Sequence, residues 1–206
     1  MGADMSQLSR INEDIVRCQD CELHRQRQRA VPGEGSESAA IMFVGEAPGW
    51  HEDQQGRPFV GPAGQFLDEL LRSIGLKRED VYIANVIKCR PPQNRDPLPS
   101  ELKACRKWLE RQIEIIDPKI IVTLGRFSLA QFLPDDAISK MHGRAKTKGG
   151  RTYFAMYHPA AALHQGSLRK VIMEDMQRIP EVLKSESAVE EVVGKGEPQP
   201  EQLSMF

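Results

Sequence analysis

Ala39-Ala40-Ile41-Met42-Phe43-Val44 runs directly into Gly45-Glu46-Ala47-Pro48-Gly49. An apolar run this short and unbroken, stopped by glycine, reads as a strand buried on both faces, as in parallel sheets. The pattern recurs in Val81 to Ile87, Lys119 to Leu124 and Thr152 to Tyr157. Between these runs lie helical patterns: Ser6 to Val16, Ala63 to Ile74, Phe127 to Leu133 and Leu168 to Leu183, plus one opened by Ser100 as N-cap and running towards Ile116. Alternation of this kind predicts an α/β domain: a mainly parallel sheet of four strands with helices on both sides, a three-layer α/β/α sandwich. Ligands of such sheets bind beyond the carboxyl ends of the strands. Three polar or glycine-rich segments fall there: Gly45 to Gly61, Lys88 to Pro99 and His158 to Gly166.

Composition narrows the class. With 206 residues, 40% hydrophobic and 28% charged, the chain has the balance of a soluble globular protein, which excludes collagen-like and disulfide-scaffold classes. No stretch approaches the ~18 apolar residues of a membrane span. Met1 to Arg10 lacks the apolar core of a secretory signal, so a cytoplasmic protein is expected. The net charge of −1 hides an asymmetry: Ala137 to Met173 contains no Asp or Glu but holds Lys140, Arg144, Lys146, Lys148, Arg151, Arg169 and Lys170. Such a face suits a phosphate backbone, and it equally suits a solvated surface. From Ser185 the chain turns polar and acidic, so the domain is expected to span 1–184 and the tail 185–206 to be disordered. It closes on an apolar island, Gln202-Leu203-Ser204-Met205-Phe206.

The cysteines are Cys18, Cys21, Cys89 and Cys105. In a cytoplasmic protein disulfides are disfavoured. Cys-x-x-Cys is a common chelating element, and a structural zinc ion or a 4Fe-4S cluster both fit the spacing. Four unrelated thiols are the bland alternative. At the strand ends stand Glu46, Phe59, Asn85 and His158. Each has an ordinary structural reading alone, but they converge on one sheet edge.

Taken together, Cys18-x2-Cys21, Gly45-Glu46-Ala47-Pro48-Gly49, Gly56-Arg57-Pro58-Phe59-Val60-Gly61, Asn85-Val86-Ile87-Lys88-Cys89-Arg90-Pro91-Pro92, Cys105 and Tyr157-His158-Pro159 resemble the family 4, iron–sulfur uracil-DNA glycosylases, in that family's order. The resemblance implies a 4Fe-4S cluster of structural role held by Cys18, Cys21, Cys89 and Cys105. It implies a uracil pocket formed by Gly45, Glu46, Ala47, Phe59, Asn85 and His158. Within it, Phe59 would stack on the flipped base and the Asn85 amide would read O4 and N3-H. His158 would stabilise charge at O2, and Glu46 would act on the sugar or the water. Asn94 matches a position near the scissile bond. Leu163 would wedge into the space the base leaves, with core packing as its alternative. Arg144, Lys146, Lys148 and Arg169 would grip phosphates of single- or double-stranded DNA. Relatives that trap DNA covalently use a histidine in an inserted basic loop. Neither is found after Cys89, so turnover is expected; the chain is also expected to be a monomer.

Gln202, Leu203, Met205 and Phe206 resemble the peptide by which bacterial repair proteins dock on the sliding clamp. Two other classes compete with the glycosylase: a non-catalytic uracil-DNA binding module recruiting partners through the tail, and a nucleotide hydrolase using a metal at the cysteines.

Overall fold

Residues 5–194 are described by a computed structural model. Its sheet is built on β2 (Ile41–Gly45), flanked by β3 (Tyr82–Asn85) on one side and β4 (Ile120–Leu124) on the other, all parallel. β6 (Arg151–Met156) continues the parallel set beside β4. The alternation of side chains along β2 divides the core. Met42 and Val44 pack with Leu8, Ile11 and Ile15 of α1 (Gln7–Arg17) and with Trp108, Leu109 and Ile113 of α4 (Pro99–Ile116). Ile41 and Phe43 pack on the opposite face, with Phe66, Leu67 and Leu70 of α3 (Pro62–Ser73) and Ile172 and Met176 of α8 (Ser167–Met176). This is the expected α/β/α sandwich.

The sheet is larger than the sequence predicts, and mixed. It has six strands in the order β1-β3-β2-β4-β6-β5, with β1 (Glu34–Gly35) and β5 (Arg144–Lys148) antiparallel at its edges. β1 is too short to leave a pattern. β5 is exposed along its whole length, so it carries no apolar period. Its cations instead shield an open edge from pairing with another sheet.

Three helix boundaries also move. α4 begins at Pro99, not at Ser100 as N-cap. Proline suits the first helical position, and Glu101 reaches back to accept the Leu98 N–H at 2.8 Å. The single helix expected over Leu168 to Leu183 is two, α8 and α9 (Ile179–Gly194). Pro180, without an N–H, fits the first turn of a helix and not its interior. α9 continues past Lys184, the expected end of regular structure, because no glycine or proline interrupts Glu181 to Val193. Residues 195–206, with the candidate clamp peptide, lie outside the described residues.

The chain passes from β2 to β3 on one side and then crosses back over β2 to reach β4. The loops that leave β2 and β4 therefore diverge, opening a crevice at the carboxyl edge.

Candidate active site and cysteine cavity

That crevice is a cavity of about 600 Å³ lined by Glu46, Ala47, Gly49, Glu52, Phe59, Asn85, Asn94 and His158, among others. Its size is that of a small-molecule site. Glu46 follows β2, Asn85 ends β3, and His158 precedes α7 (Pro159–His164). The register aligns Gly45 with Asn85. A β-carbon on Gly45 would stand 2.4 Å from Asn85 Oδ1 and 2.6 Å from Phe59 Cζ, so the absence of a side chain is what leaves room for both groups here. Asn85 is buried, and its Oδ1 has no hydrogen-bond partner. An orphaned buried acceptor beside a cavity is the mark of a site that waits for a donor.

Phe59 is held in the left-handed region at φ 52°. Arg78 donates to the carbonyls of Pro58 and Phe59 at 2.5 and 3.1 Å. Glu52 accepts from the N–H groups of Val60 and Gly61 at 2.8 and 2.9 Å and from Gly49 N–H at 3.0 Å. One carboxylate thus ties the loop that carries Glu46 to the loop that carries Phe59. The sequence reading missed Glu52; its signal was the spacing, three residues after the helix-starting Gly49 of α2 (Trp50–Gln55).

His158 stacks on Phe59 with ring centroids 5.5 Å apart. Its Nδ1 accepts the Ala160 N–H at 3.1 Å, which assigns the ring hydrogen to Nε2. Burial lowers its pKa to about 4, with Glu52 opposing, so at neutral pH the ring is an uncharged donor. Glu46 is pushed up to about 6, by burial first and then by repulsion from Asp96, against the attraction of Arg126. Asn94 joins the same cavity with φ 55°, its Oδ1 accepting from Arg90 Nε at 2.7 Å.

The cysteines form a second site behind the first. Cys18, Cys21, Cys89 and Cys105 line one small cavity between the end of α1, the segment after β3, and α4. None is paired in a disulfide. Three already accept N–H groups: Cys18 from Trp108 Nε1 at 3.3 Å, Cys89 from Arg27 Nη1 at 3.0 Å, and Cys105 from the Lys88 N–H at 3.3 Å. Without a metal, burial raises Cys21 and Cys89 and pushes Cys105 up to about 12. Lys88, wholly buried between the two sites, is lowered to about 8 by that burial while Cys105 and Cys89 pull it back up.

The expected DNA-contact residues are not gathered in one place. Leu163 is 49% exposed on α7, next to the cavity residue His164, so it is not a core side chain. Arg144 pairs in register with Ala155, near the carboxyl end of β6. Lys148 pairs with Arg151 at the opposite end, donating to the Phe132 carbonyl, and Lys146 is bound to Asp136 at 2.6 Å. Arg169 pairs with Glu69 and lies over the Phe66 ring.

The family model of the uracil DNA glycosylase superfamily matches residues 32–177. The chain is 48% identical to the type-4 uracil-DNA glycosylase of Sulfurisphaera tokodaii over 188 residues, 86% of each chain. It is 48% identical to that of Archaeoglobus fulgidus, over 86% of this chain and 94% of the relative. With that of Thermotoga maritima the identity is 45%, over 85% and 94%.

Proposed function

The chain belongs to the uracil DNA glycosylase superfamily, and from that premise we propose that it excises uracil from DNA by hydrolysing the N-glycosidic bond of a flipped-out nucleotide. The observation that carries the proposal is the partnerless Asn85 Oδ1 at the pocket wall. Left empty, a buried acceptor costs about 1–3 kcal/mol. Uracil N3-H satisfies it, while the amide N–H reads O4. Cytosine presents an acceptor at N3 and a donor at C4, so both contacts fail.

Phe59 offers the base its face. The neutral His158 donates from Nε2 to uracil O2 as negative charge gathers on the leaving base. A preorganised uncharged donor suits this task, because it needs no proton transfer. Glu46, ionised above about pH 6, faces the sugar, where it stabilises developing positive charge or orients water. Asn94, held by Arg90, is assigned to the water. Leu163, exposed beside the mouth, is assigned to the gap in the helix. Phosphate contact is assigned to Arg144 before Lys146, Lys148 or Arg169, because those three already have partners.

The cysteine set fits a 4Fe-4S cluster. Four thiols around one cavity, three of them receiving N–H groups, match the donor set and its hydrogen bonding. When bound, the cluster supplies a structural clamp joining α1, the segment after β3, and α4. Clamp docking through Gln202, Leu203, Met205 and Phe206 remains part of the proposal, resting on the sequence.

The test is release of uracil from an end-labelled oligonucleotide bearing one uracil, with cytosine and thymine controls. Wild type should open an alkali-labile site at uracil alone, and a Glu46→Ala, His158→Ala double variant should not. Binding without any release would overturn the enzyme reading in favour of a uracil-binding module.

A further inference from the structure

Lys88 is 1% exposed, yet its Nζ meets no carboxylate among the described residues. Its acceptors are the Asn85 carbonyl at 2.9 Å and Gln112 Oε1 at 2.7 Å, both neutral. A buried ammonium with neutral partners is expensive unless an anion lies near. The neighbouring thiols are those of Cys89, the next residue, and Cys105, whose Sγ accepts the Lys88 backbone N–H at 3.3 Å. Gln112 is itself fixed, its Nε2 directed at the Pro32 carbonyl and the Tyr82 hydroxyl at 2.9 and 3.1 Å. The ammonium therefore stands on a rigid post between the cysteine cavity and the residue that ends β3.

We propose that Lys88 is a positioning residue that couples the cysteine site to base selection: its Nζ holds the Asn85 main chain, and thereby the amide, in reading position, while its backbone N–H is tied to Cys105. The inference rests on the glycosylase reading of the pocket. It assigns the cysteine site a role in specificity, beyond clamping segments together.

The experiment compares wild type and Lys88→Met, both loaded with cluster, by two readouts. One is the ratio of uracil to cytosine release. The other is the reduction potential of the cluster, followed by its visible absorption. Removing the cation should lower the ratio by about tenfold or more, since small misplacements at a reacting centre are costly. It should also move the potential to more negative values, because the added electron loses a neighbouring positive charge. An unchanged ratio in a cluster-bearing variant overturns the proposal, whatever the potential does, and so does an unchanged potential. Should Lys88→Met fail to fold, Gln112→Leu decides. It keeps the charge and removes one acceptor, so the ratio should fall several-fold with the potential unmoved, and an unaltered ratio there overturns the proposal too. Failure of wild type to release uracil would instead sink the glycosylase reading, and leaves the potential shift readable by itself.

Discussion

Replacing Gly45 by alanine tests the geometry of the pocket with one methyl group. The new carbon would lie 2.4 Å from Asn85 Oδ1 and 2.6 Å from Phe59 Cζ, where ordinary contacts need about 3.5 Å. Each neighbour would have to retreat by about 1 Å. Neither has room. Phe59 is fixed through Arg78 and Glu52, and a β-carbon on Gly64 of α3 would meet the Phe59 carbonyl oxygen, so the helix lies flat against that loop. Asn85 is held by the sheet and by Lys88. Overpacking of this kind costs about 1–3 kcal/mol of stability. A displacement of about 1 Å in the base-reading groups should cost about 100-fold in kcat/KM for uracil release. The control is Gly75→Ala, at φ 76° with open space around it. It should cost about 1–2 kcal/mol through the left-handed backbone alone and leave the kinetics unchanged. Denaturant melts and single-turnover assays on both variants separate the two effects. A folded Gly45→Ala protein releasing uracil within about threefold of wild type would refute the assignment of Phe59 and Asn85 to the base site.

Four further outcomes follow from the same geometry. The pH profile of kcat/KM should fall on the acid side near pH 6, where Glu46 protonates, and Glu46→Gln should abolish that limb along with most of the rate; a limb that survives in Glu46→Gln belongs to another group. For stability, His158 has a folded pKa depressed to about 4 from 6.5, so its contribution is complete above pH 6.5 and is lost as pH falls towards 4, and His158→Gln should flatten urea-midpoint curves in that window. Cys105→Ser should remove the visible absorption of the cluster and lower the thermal midpoint by at least about 5 °C, with retained absorption and midpoint counting against four-thiolate ligation. Arg144→Ser should reduce the salt slope of DNA binding by about one unit, whereas Lys148→Ser, at the far end of β5, should not alter it.

The parts of the fold that were legible in sequence share a cause. Ile41 to Val44 and Ile120 to Leu124 are buried on both faces, so every side chain reports the same environment. β5 was illegible for the converse reason: an edge strand exposed throughout has its composition set by solvent and by the avoidance of aggregation. The same cations read from sequence as a phosphate-binding stretch, and the register separates them, leaving Arg144 towards the pocket end and Lys148 away from it. Glu46, Asn85 and His158, which line one cavity, were legible as candidates because polar groups stand out at the ends of apolar strands. Glu52 and Lys88 were not, because Glu52 is met by backbone N–H groups and Lys88 by a backbone carbonyl and the distant Gln112, partners brought together only by the fold.

That difference bears on how the site keeps its shape. Phe59, Gln93 and Asn94 all adopt positive φ without being glycine. Each such residue stores on the order of 1–2 kcal/mol, and Phe59 and Asn94 line the proposed uracil pocket. Strain of this size persists only where the surroundings leave no alternative. Around Phe59 they do so with charged groups. The Glu52 carboxylate takes three backbone N–H bonds and the Arg78 guanidinium gives two backbone carbonyls theirs, while also pairing with Glu34 and Asp68 at 3.0 Å. Hydrogen bonds to ionised groups are roughly twice as strong as neutral ones, so these contacts outweigh the strain on a single residue. Around this loop, charge is used to fix backbone beside the face that Phe59 offers to the base. Neutralising Glu52 as Glu52→Gln should then raise KM and lower kcat together, since both the Phe59 loop and the Glu46 loop lose their common anchor, although on the proposed pose Glu52 itself touches neither the sugar nor the leaving base.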